Sequence, residues 1–324
     1  MVNFLKLWRW PNLIVIAVLI LCLKYLVFEH YLVVNHLVFF ESQFSAWQTF
    51  VLILSIILLS AGGYLINDMR DVAADRINKK GKVLIEDVLT PTQAWISYLT
   101  LTGLGVGLGI FLAFDLGLRQ LIIFPLLGAA SLYSYAHYFK STALIGNIVI
   151  SLMSASVPLY YFAFEAYPFV QEYGQAILLT GSPIFDFGPL QTLLGFTLFL
   201  AAFAFTFSLL REIIKDLQDV EGDQLLSGTT TAQYFGVTVT LNIARAILVV
   251  CLLLLFYVNY FYIEAVPYNT FPFQTYFYFL LIFPCLYLLF LLSKKSIDYG
   301  ACSLLVKLTM LFGILSTGIY ALFV

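Results

Sequence analysis

Residues 47–75 read WQTFVLILSIILLSAGGYLINDMRDVAAD, an apolar run that ends in a cluster of aspartates. The run is long enough to cross a bilayer as a helix, because about 20 apolar residues span the hydrocarbon core. Asp68, Asp71 and Asp75 follow one another at offsets of three, four and seven, which place their carboxylates on one helical face. Like charges stacked in this way repel, so we expect a cation or a basic ligand to compensate them.

A second acidic cluster repeats the first almost letter for letter. It reads KDLQDVEGD over residues 215–223, and its Asp216, Asp219 and Asp223 align with Asp68, Asp71 and Asp75. Two such faces brought together would form a cage of carboxylates, which suits hard divalent cations that hold phosphate oxygens. The matched clusters at 67–75 and 215–223 suggest a pseudo-repeat within one domain that covers residues 1–324.

The composition is that of a polytopic membrane protein. Of the 324 residues, 62% are hydrophobic and 10% are charged, whereas a soluble domain is roughly half apolar and a quarter charged. The net charge of -2 gives no indication of a nucleic-acid partner, and we expect none. The four cysteines lie in apolar stretches without the spacing of a metal site or a disulfide framework.

Apolar runs predict an all-α fold with nine membrane-spanning helices. They lie at about residues 12–29, 47–70, 91–114, 119–138, 143–164, 188–214, 234–260, 272–293 and 301–323. Of the 16 Lys and Arg residues, only Lys24 and Arg119 fall on the side opposite the N-terminus. Because cytoplasmic segments are rich in these residues, we expect a cytoplasmic N-terminus and both acidic clusters on the cytoplasmic side. Segments 164–188 and 260–272 are expected to be aromatic caps at the other membrane surface.

Four segments together resemble the motifs of the UbiA superfamily of intramembrane prenyltransferases. The first and second motifs of that family resemble Asn67-Asp68-x-x-Asp71-x-x-x-Asp75 and Asp216-x-x-Asp219-x-Glu221-Gly222-Asp223. Two further matches are Arg9-Trp10-Pro11-Asn12 and Tyr133-x-x-x-x-x-Phe139-Lys140 with Gly146-Asn147. The four matches occur in order and cover the chain from about residue 9 to residue 236.

The resemblance implies a fold, a cofactor and a set of site residues. The fold would be nine transmembrane helices around a central cavity that is capped on the cytoplasmic side. Magnesium, as two ions, would be held by Asn67, Asp71 and Asp75 and by Asp219 and Asp223, with Asp68 and Asp216 in support. Of these ligands, Asp71, Asp75, Asp219 and Asp223 are the expected catalytic residues. Substrate contacts are expected from Asn12, Lys79, Lys82, Tyr133, Lys140, Asn147, Arg211 and Lys215.

The implied activity is transfer of a prenyl group from an isoprenyl diphosphate, such as a geranylgeranyl donor, to a lipid-soluble acceptor in the cell membrane. Residues 211–223 and 75–78 are most similar to family members that alkylate a hydroxyl of geranylgeranylglycerol phosphate in ether-lipid synthesis. One alternative is an aromatic acceptor of quinone biosynthesis, such as 4-hydroxybenzoate or dihydroxynaphthoate. Another is a transporter of divalent cations or diphosphate lipids, although transporters carry such groups nearer the midplane.

A phosphorylated acceptor also needs a cation of its own. Arg9, Lys140 and Arg211 are the candidates at the cytoplasmic rim. Arg245 and Lys307 lie within predicted spans, where a role inside the bundle and snorkelling to the surface are both open.

Overall fold

The computed structural model describes residues 7–31, 44–78, 84–180, 188–223, 229–260 and 271–323. These residues form helices and no strand. Helix α1 is Trp10–Leu21 and continues as π-helical turns over Cys22–Glu29; α2 is Ala46–Asn78, α3 is Leu84–Val88 and α4 is Pro91–Asp115. After a 3₁₀ turn at Arg119–Ile122, α5 is Ile123–Ser134 and continues as π-helical turns over Tyr135–Phe139. Then follow α6 at Ile145–Thr180, α7 at Gly188–Gln218, α8 at Val220–Asp223 and α9 at Thr231–Val258. Helix α10 is Phe271–Phe277, π-helical turns at Tyr278–Ile282 join it to α11 at Phe283–Leu291, and α12 is Tyr299–Phe323.

Nine segments of the described chain are long and apolar enough to cross a membrane, and each overlaps one of the predicted spans. The prediction of an all-α protein with nine spans is therefore confirmed. The helices that carry the acidic motifs are longer than predicted, because α2 runs to Asn78 and α7 to Gln218. The first motif thus lies wholly within α2.

Helix α6 continues beyond the predicted boundary at residue 164 to Thr180, whereas its membrane-spanning part ends at Tyr167. Tyr161 donates a hydrogen bond of 2.9 Å to the buried carboxylate of Glu165, four residues later, so the helix is internally bonded across the predicted boundary. Glu165 also lies 3.9 Å from the buried ammonium of Lys24, which pairs with Glu29 at 3.2 Å. These contacts join α6 to the end of the first span that lies away from the acidic motifs.

The second predicted cap, 260–272, falls mainly in residues 261–270, which lie outside the described residues.

Close helix packing brings the first acidic motif into position. Helix α2 packs along α4, and a Cβ at Gly105 would lie 3.0 Å from the backbone carbonyl oxygen of Ser55. The Ser55 hydroxyl donates a hydrogen bond of 2.7 Å to the Gly105 carbonyl. Small residues at such contacts allow helix backbones to approach closely in a membrane. The resulting pair of helices provides a rigid base for the end of α2.

Candidate diphosphate and metal site

The first acidic motif is buried and held by cations from two other segments. Asn67, Asp68 and Asp71 are each exposed by less than a tenth of their surface. Arg9 Nη2 donates to Asp68 Oδ1 at 2.6 Å. Lys140 Nζ donates to Asn67 Oδ1 at 2.9 Å and also contacts Asp71 Oδ2. Asn67 Nδ2 donates to the same Asp71 oxygen at 3.0 Å. The repulsion predicted from the sequence is thus compensated by Arg9 and Lys140.

A π-helical turn brings Lys140 to this motif. The Lys140 backbone N–H donates to the Tyr135 carbonyl at 2.9 Å, a bond that spans five residues instead of the four of an α-helix. Such turns are frequent at functional sites, because they change the direction of the side chains that follow.

The spacing of the second acidic motif predicted one regular helix. The structure instead divides the motif between two helices. Helix α7 ends at Gln218, the chain bends at Asp219, and the short α8 begins at Val220. Backbone hydrogen bonds nevertheless continue across the bend, from Asp219 N to Lys215 O at 2.9 Å and from Asp223 N to Asp219 O at 3.0 Å. Because these bonds keep the spacing of a helical turn, Asp219 and Asp223 remain on one side of the chain.

Asp216 is held by the beginnings of α6 and α9. Asn147 Nδ2 donates to Asp216 Oδ2 at 3.0 Å, and the Thr231 backbone N–H donates to the same oxygen at 3.3 Å. The Thr231 hydroxyl donates in turn to Asn147 Oδ1 at 2.6 Å. The contact of Asn147 with substrate stays a prediction, and the bonds seen here orient Asp216.

The structure brings the two motifs together. Helix α8 packs against α2. Lys140, which is bonded to the first motif, also attracts Asp223 of the second. The Tyr135 hydroxyl interacts electrostatically with Asp71 and Asp216, one carboxylate from each motif. Lys140 and Tyr135 therefore both lie within electrostatic range of carboxylates from the two motifs.

The electrostatics of the site indicate an excess of buried negative charge around the second motif. The pKa of Asp223 is raised to about 7. Burial is the largest cause, and repulsion from Asp216 and Asp219 contributes as well. Burial also lowers the pKa of Lys140, even though Asp71 attracts its ammonium. A divalent cation would relieve the repulsion between these carboxylates.

The donor atoms fit magnesium in their chemistry. Asp71 Oδ1 is buried and has no hydrogen-bond partner, and hard carboxylate oxygens are the ligands that magnesium prefers. Across the described ranges, no group of three carboxylate, His or Cys side chains converges on one point. Two of the predicted first-motif carboxylates are paired with cations, Asp68 with Arg9 and Asp71 with Lys140.

Asn12 and Tyr133 were both predicted to line the reacting end of the cavity, and this assignment stays a prediction. Asn12 Nδ2 donates to the Tyr64 hydroxyl at 3.3 Å, and the Tyr64 ring lies 4.9 Å from the Arg9 guanidinium carbon. Tyr133 is exposed and stacks on His137 with ring centroids 4.0 Å apart.

Asp75 and Lys215 are further predicted residues that the structure describes. Asp75 is half-buried, about one turn after Asp71. Lys215 interacts electrostatically with Asp216 and Asp223. Lys79 and Lys82 lie outside the described residues.

Arg76 on α2 forms a salt bridge with Glu86 on α3, with an Nη2 to Oε1 distance of 2.6 Å. In the sequence, these two residues flank the segment that contains Lys79 and Lys82.

Comparison with known proteins identifies the class to which this fold and site belong. The chain belongs to the UbiA prenyltransferase family, whose model matches residues 33–312. The family predicted from the acidic motifs is therefore confirmed, and it argues against the transporter alternative.

Comparison with individual proteins gives more specific matches than the family model. The chain is 30% identical to the digeranylgeranylglyceryl phosphate synthase of Sulfurisphaera tokodaii over 65% of its own length and 66% of that protein. It is 32% identical to the protein of the same name from Sulfolobus acidocaldarius over 61% of its own length and 62% of the relative. The matches thus span less than two thirds of the length of these relatives.

Solved structures share the fold over nearly the whole chain. A structure from a study of digeranylgeranylglyceryl phosphate synthase in membranes has a TM-score of 0.60 and 21% identity, with 98% of this chain and 97% of that chain covered. A UbiA homolog from Archaeoglobus fulgidus, solved with GPP and Mg²⁺ bound, has a TM-score of 0.55 and 16% identity, with 97% and 99% covered. At these identities the likeness establishes the fold alone.

Proposed function

We propose that this protein transfers a prenyl group from an isoprenyl diphosphate to the hydroxyl of a glycerol phosphate lipid. The observation that carries the proposal is the meeting of both acidic motifs around Lys140, beside the buried and unpaired Asp71 Oδ1. Hard oxygens next to cations suit a diphosphate that binds together with magnesium. The names of the relatives support the acceptor, and the neighbour with GPP and Mg²⁺ supports the donor and the metal.

The proposal assigns roles to the residues of both motifs. Two magnesium ions are held, one by the first motif and one by the second, through the ligands Asn67, Asp71, Asp75, Asp219 and Asp223. Asp68 and Asp216 support these ligands, since Asp68 anchors Arg9 and Asp216 is bonded to Asn147 and Thr231. Three lysines contact the diphosphate: Lys79, Lys82 and Lys140. The donor is of geranylgeranyl length.

The reaction exchanges one carbon–oxygen bond for another. The bond between the allylic carbon and the diphosphate breaks, and the diphosphate leaves with the electron pair. The acceptor hydroxyl oxygen then bonds to that carbon and releases its proton. Lys140 is fixed by Asn67 and Asp71 where it can contact the leaving diphosphate. Bound magnesium supplies further stabilisation of the charge that grows on the leaving group.

The proposal includes one domain over residues 1–324 and an acidic end that faces the cytoplasm. Lys295 lies exposed between α11 and α12, near that end, and Arg119 is exposed at the other. The four native cysteines are buried, so a single added cysteine can report its side. In right-side-out vesicles, we expect Arg119→Cys to react with an impermeant maleimide and Lys295→Cys to react only after permeabilisation. The reverse pattern would contradict the proposed orientation.

The acceptor is tested by turnover of a panel of candidates. Purified protein, magnesium and geranylgeranyl diphosphate are incubated with geranylgeranylglycerol phosphate, 4-hydroxybenzoate or dihydroxynaphthoate, and the products are measured by mass spectrometry. We expect a prenylated product with the glycerol phosphate lipid. Turnover of an aromatic acid without turnover of the lipid would replace the proposed acceptor with that of quinone biosynthesis.

A further inference from the structure

Two basic side chains lie opposite one another on neighbouring helices, α7 and α12. The helices are antiparallel: a Cβ at Gly300 would lie 3.6 Å from Gln218 Nε2, and Gly313 lies against Phe203. Arg211 is seven residues before Gln218, and Lys307 is seven residues after Gly300. Both side chains therefore begin about 10 Å along their helices from this contact, at a rise of about 1.5 Å per residue. The electrostatic interaction between Arg211 and Lys307 agrees with this register.

Charged side chains of both signs lie near Lys307. Glu212 attracts the Lys307 ammonium, whereas Arg211, Arg9 and Lys215 repel it. Arg211 Nη1 is bonded to Glu212, but Arg211 Nε is buried and has no hydrogen-bond partner. A buried N–H without an acceptor is unfavourable, and an anion beside the Lys307 ammonium would supply one.

This cationic pair is accessible from the side of the bundle. Helix α12 packs along the π-helical second half of the first span, Cys22–Glu29, and makes few contacts with its first half, Trp10–Leu21. The two spans therefore diverge toward the acidic end. Ile14 on the first span and Leu304 on α12 are exposed apolar side chains, and Lys307 is exposed between α12 residues of the same kind. An apolar chain can lie along such a surface with its polar head beside Lys307.

We propose that Arg211 and Lys307 form a binding subsite for the phosphate of the lipid acceptor. This inference rests on the proposed function and adds the site that selects a phosphorylated acceptor. Arginine offers several N–H donors to a phosphate, and lysine adds a mobile point charge. Arg211 lies five residues before Asp216, or about 7.5 Å along α7. An acceptor phosphate held there leaves its nearby hydroxyl within reach of the donor site.

The donor diphosphate has a different set of partners. Lys140 follows α5 and is bonded to the end of α2, whereas the proposed subsite lies on α7 and α12. The two phosphate-bearing substrates are thus held by different cations. A change at Lys307 should then affect the acceptor and leave the donor unaffected, which makes the two sources of phosphate distinguishable.

The test compares KM for each substrate in Lys307→Gln, Lys307→Arg and wild type, with Lys295→Gln as the matched control for loss of a lysine. We expect Lys307→Gln to raise KM for geranylgeranylglycerol phosphate about tenfold and to leave KM for geranylgeranyl diphosphate within about twofold. Lys307→Arg should recover most of the affinity, and Lys295→Gln should match wild type. The unchanged donor KM also shows that the variant is folded.

A dephosphorylated acceptor, geranylgeranylglycerol, completes the test. Wild type and Lys307→Gln should use it equally, because the lost contact is to the phosphate. An unchanged KM for the phosphorylated acceptor in Lys307→Gln, while wild type turns it over, would overturn this subsite and leave the proposed function intact. An equal rise in both KM values would reassign Lys307 to the diphosphate. Wild-type turnover of aromatic acids alone would overturn the proposed function and the subsite together.

Discussion

Asp71→Asn is expected to lower kcat for prenyl transfer at least a hundredfold, which corresponds to about 2.7 kcal/mol of lost transition-state stabilisation. The side chain keeps its size but loses its charge. Asp71 is buried, receives bonds from Asn67 and Lys140, and keeps Oδ1 unpaired inside the site. The change removes a proposed magnesium ligand and leaves the Lys140 ammonium without its carboxylate. The rate is measured by product formation at saturating substrate.

The matched control for Asp71→Asn is Asp87→Asn. Asp87 is exposed on the short helix α3, outside the cluster of buried carboxylates, so its loss should leave kcat within about twofold of wild type. Both variants should insert and purify like wild type, because the bundle is held mainly by apolar packing between helices. Wild-type kcat in well-folded Asp71→Asn would show that this carboxylate takes no part in the reaction.

Removal of magnesium is expected to abolish transfer, with a loss of at least a hundredfold that added magnesium reverses. Asp216, Asp219 and Asp223 lie close enough for their charges to raise the pKa of Asp223, even though Lys140 and Lys215 attract it. A diphosphate would add further negative charge to this repulsion, which a divalent cation would offset. Activity is measured in EDTA, and again after titration with excess magnesium.

A parallel measurement separates loss of chemistry from loss of fold. The thermal unfolding midpoint of the detergent-solubilised protein should change little in EDTA, because Arg9 and Lys140 already compensate the first motif without metal. Full activity in excess EDTA would show that transfer does not depend on a divalent cation and would remove the basis of the proposed mechanism.

The sequence was sufficient to predict the spans and the acidic site because each depends on local features. Apolar run length sets a membrane helix, and all nine predicted spans overlap observed ones. The spacing of Asp68, Asp71 and Asp75 on a helix, together with its repetition in the second motif, indicated that the two clusters belong together. The contact between α8 and α2 now shows that they do lie together.

The failures concern features that depend on neighbouring helices. Helix α6 continues past the predicted boundary to Thr180, and its Glu165 lies beside Lys24 of the first span, a partner that the sequence of α6 alone does not reveal. The π-helical turn that begins at Tyr135 brings this tyrosine near carboxylates of both motifs, whereas the sequence pattern singled out Tyr133. Periodicity does not predict such an insertion, since the residues remain helical on both sides.

The sequence also did not reveal which side chains contact one another at the site. Asn147 matches the family motif in type and position, but only the structure shows its amide bonded to Asp216 and Thr231. Tyr64 gave no signal beyond its place in an apolar run, yet its ring lies under Arg9. A lysine such as Lys307 inside a span has two plausible directions, and the sequence alone does not show that it lies on the helix beside Arg211.

The central claim is that both acidic motifs form one metal and diphosphate site. It is tested most directly by anomalous X-ray scattering from crystals grown with Mn²⁺ in place of Mg²⁺ and a non-hydrolysable geranylgeranyl thiodiphosphate. The account predicts two Mn²⁺ peaks, one beside Asp71 and one beside Asp219, with the diphosphate between them and in contact with Lys140. Peaks at only one motif, or a diphosphate bound away from both, would contradict it.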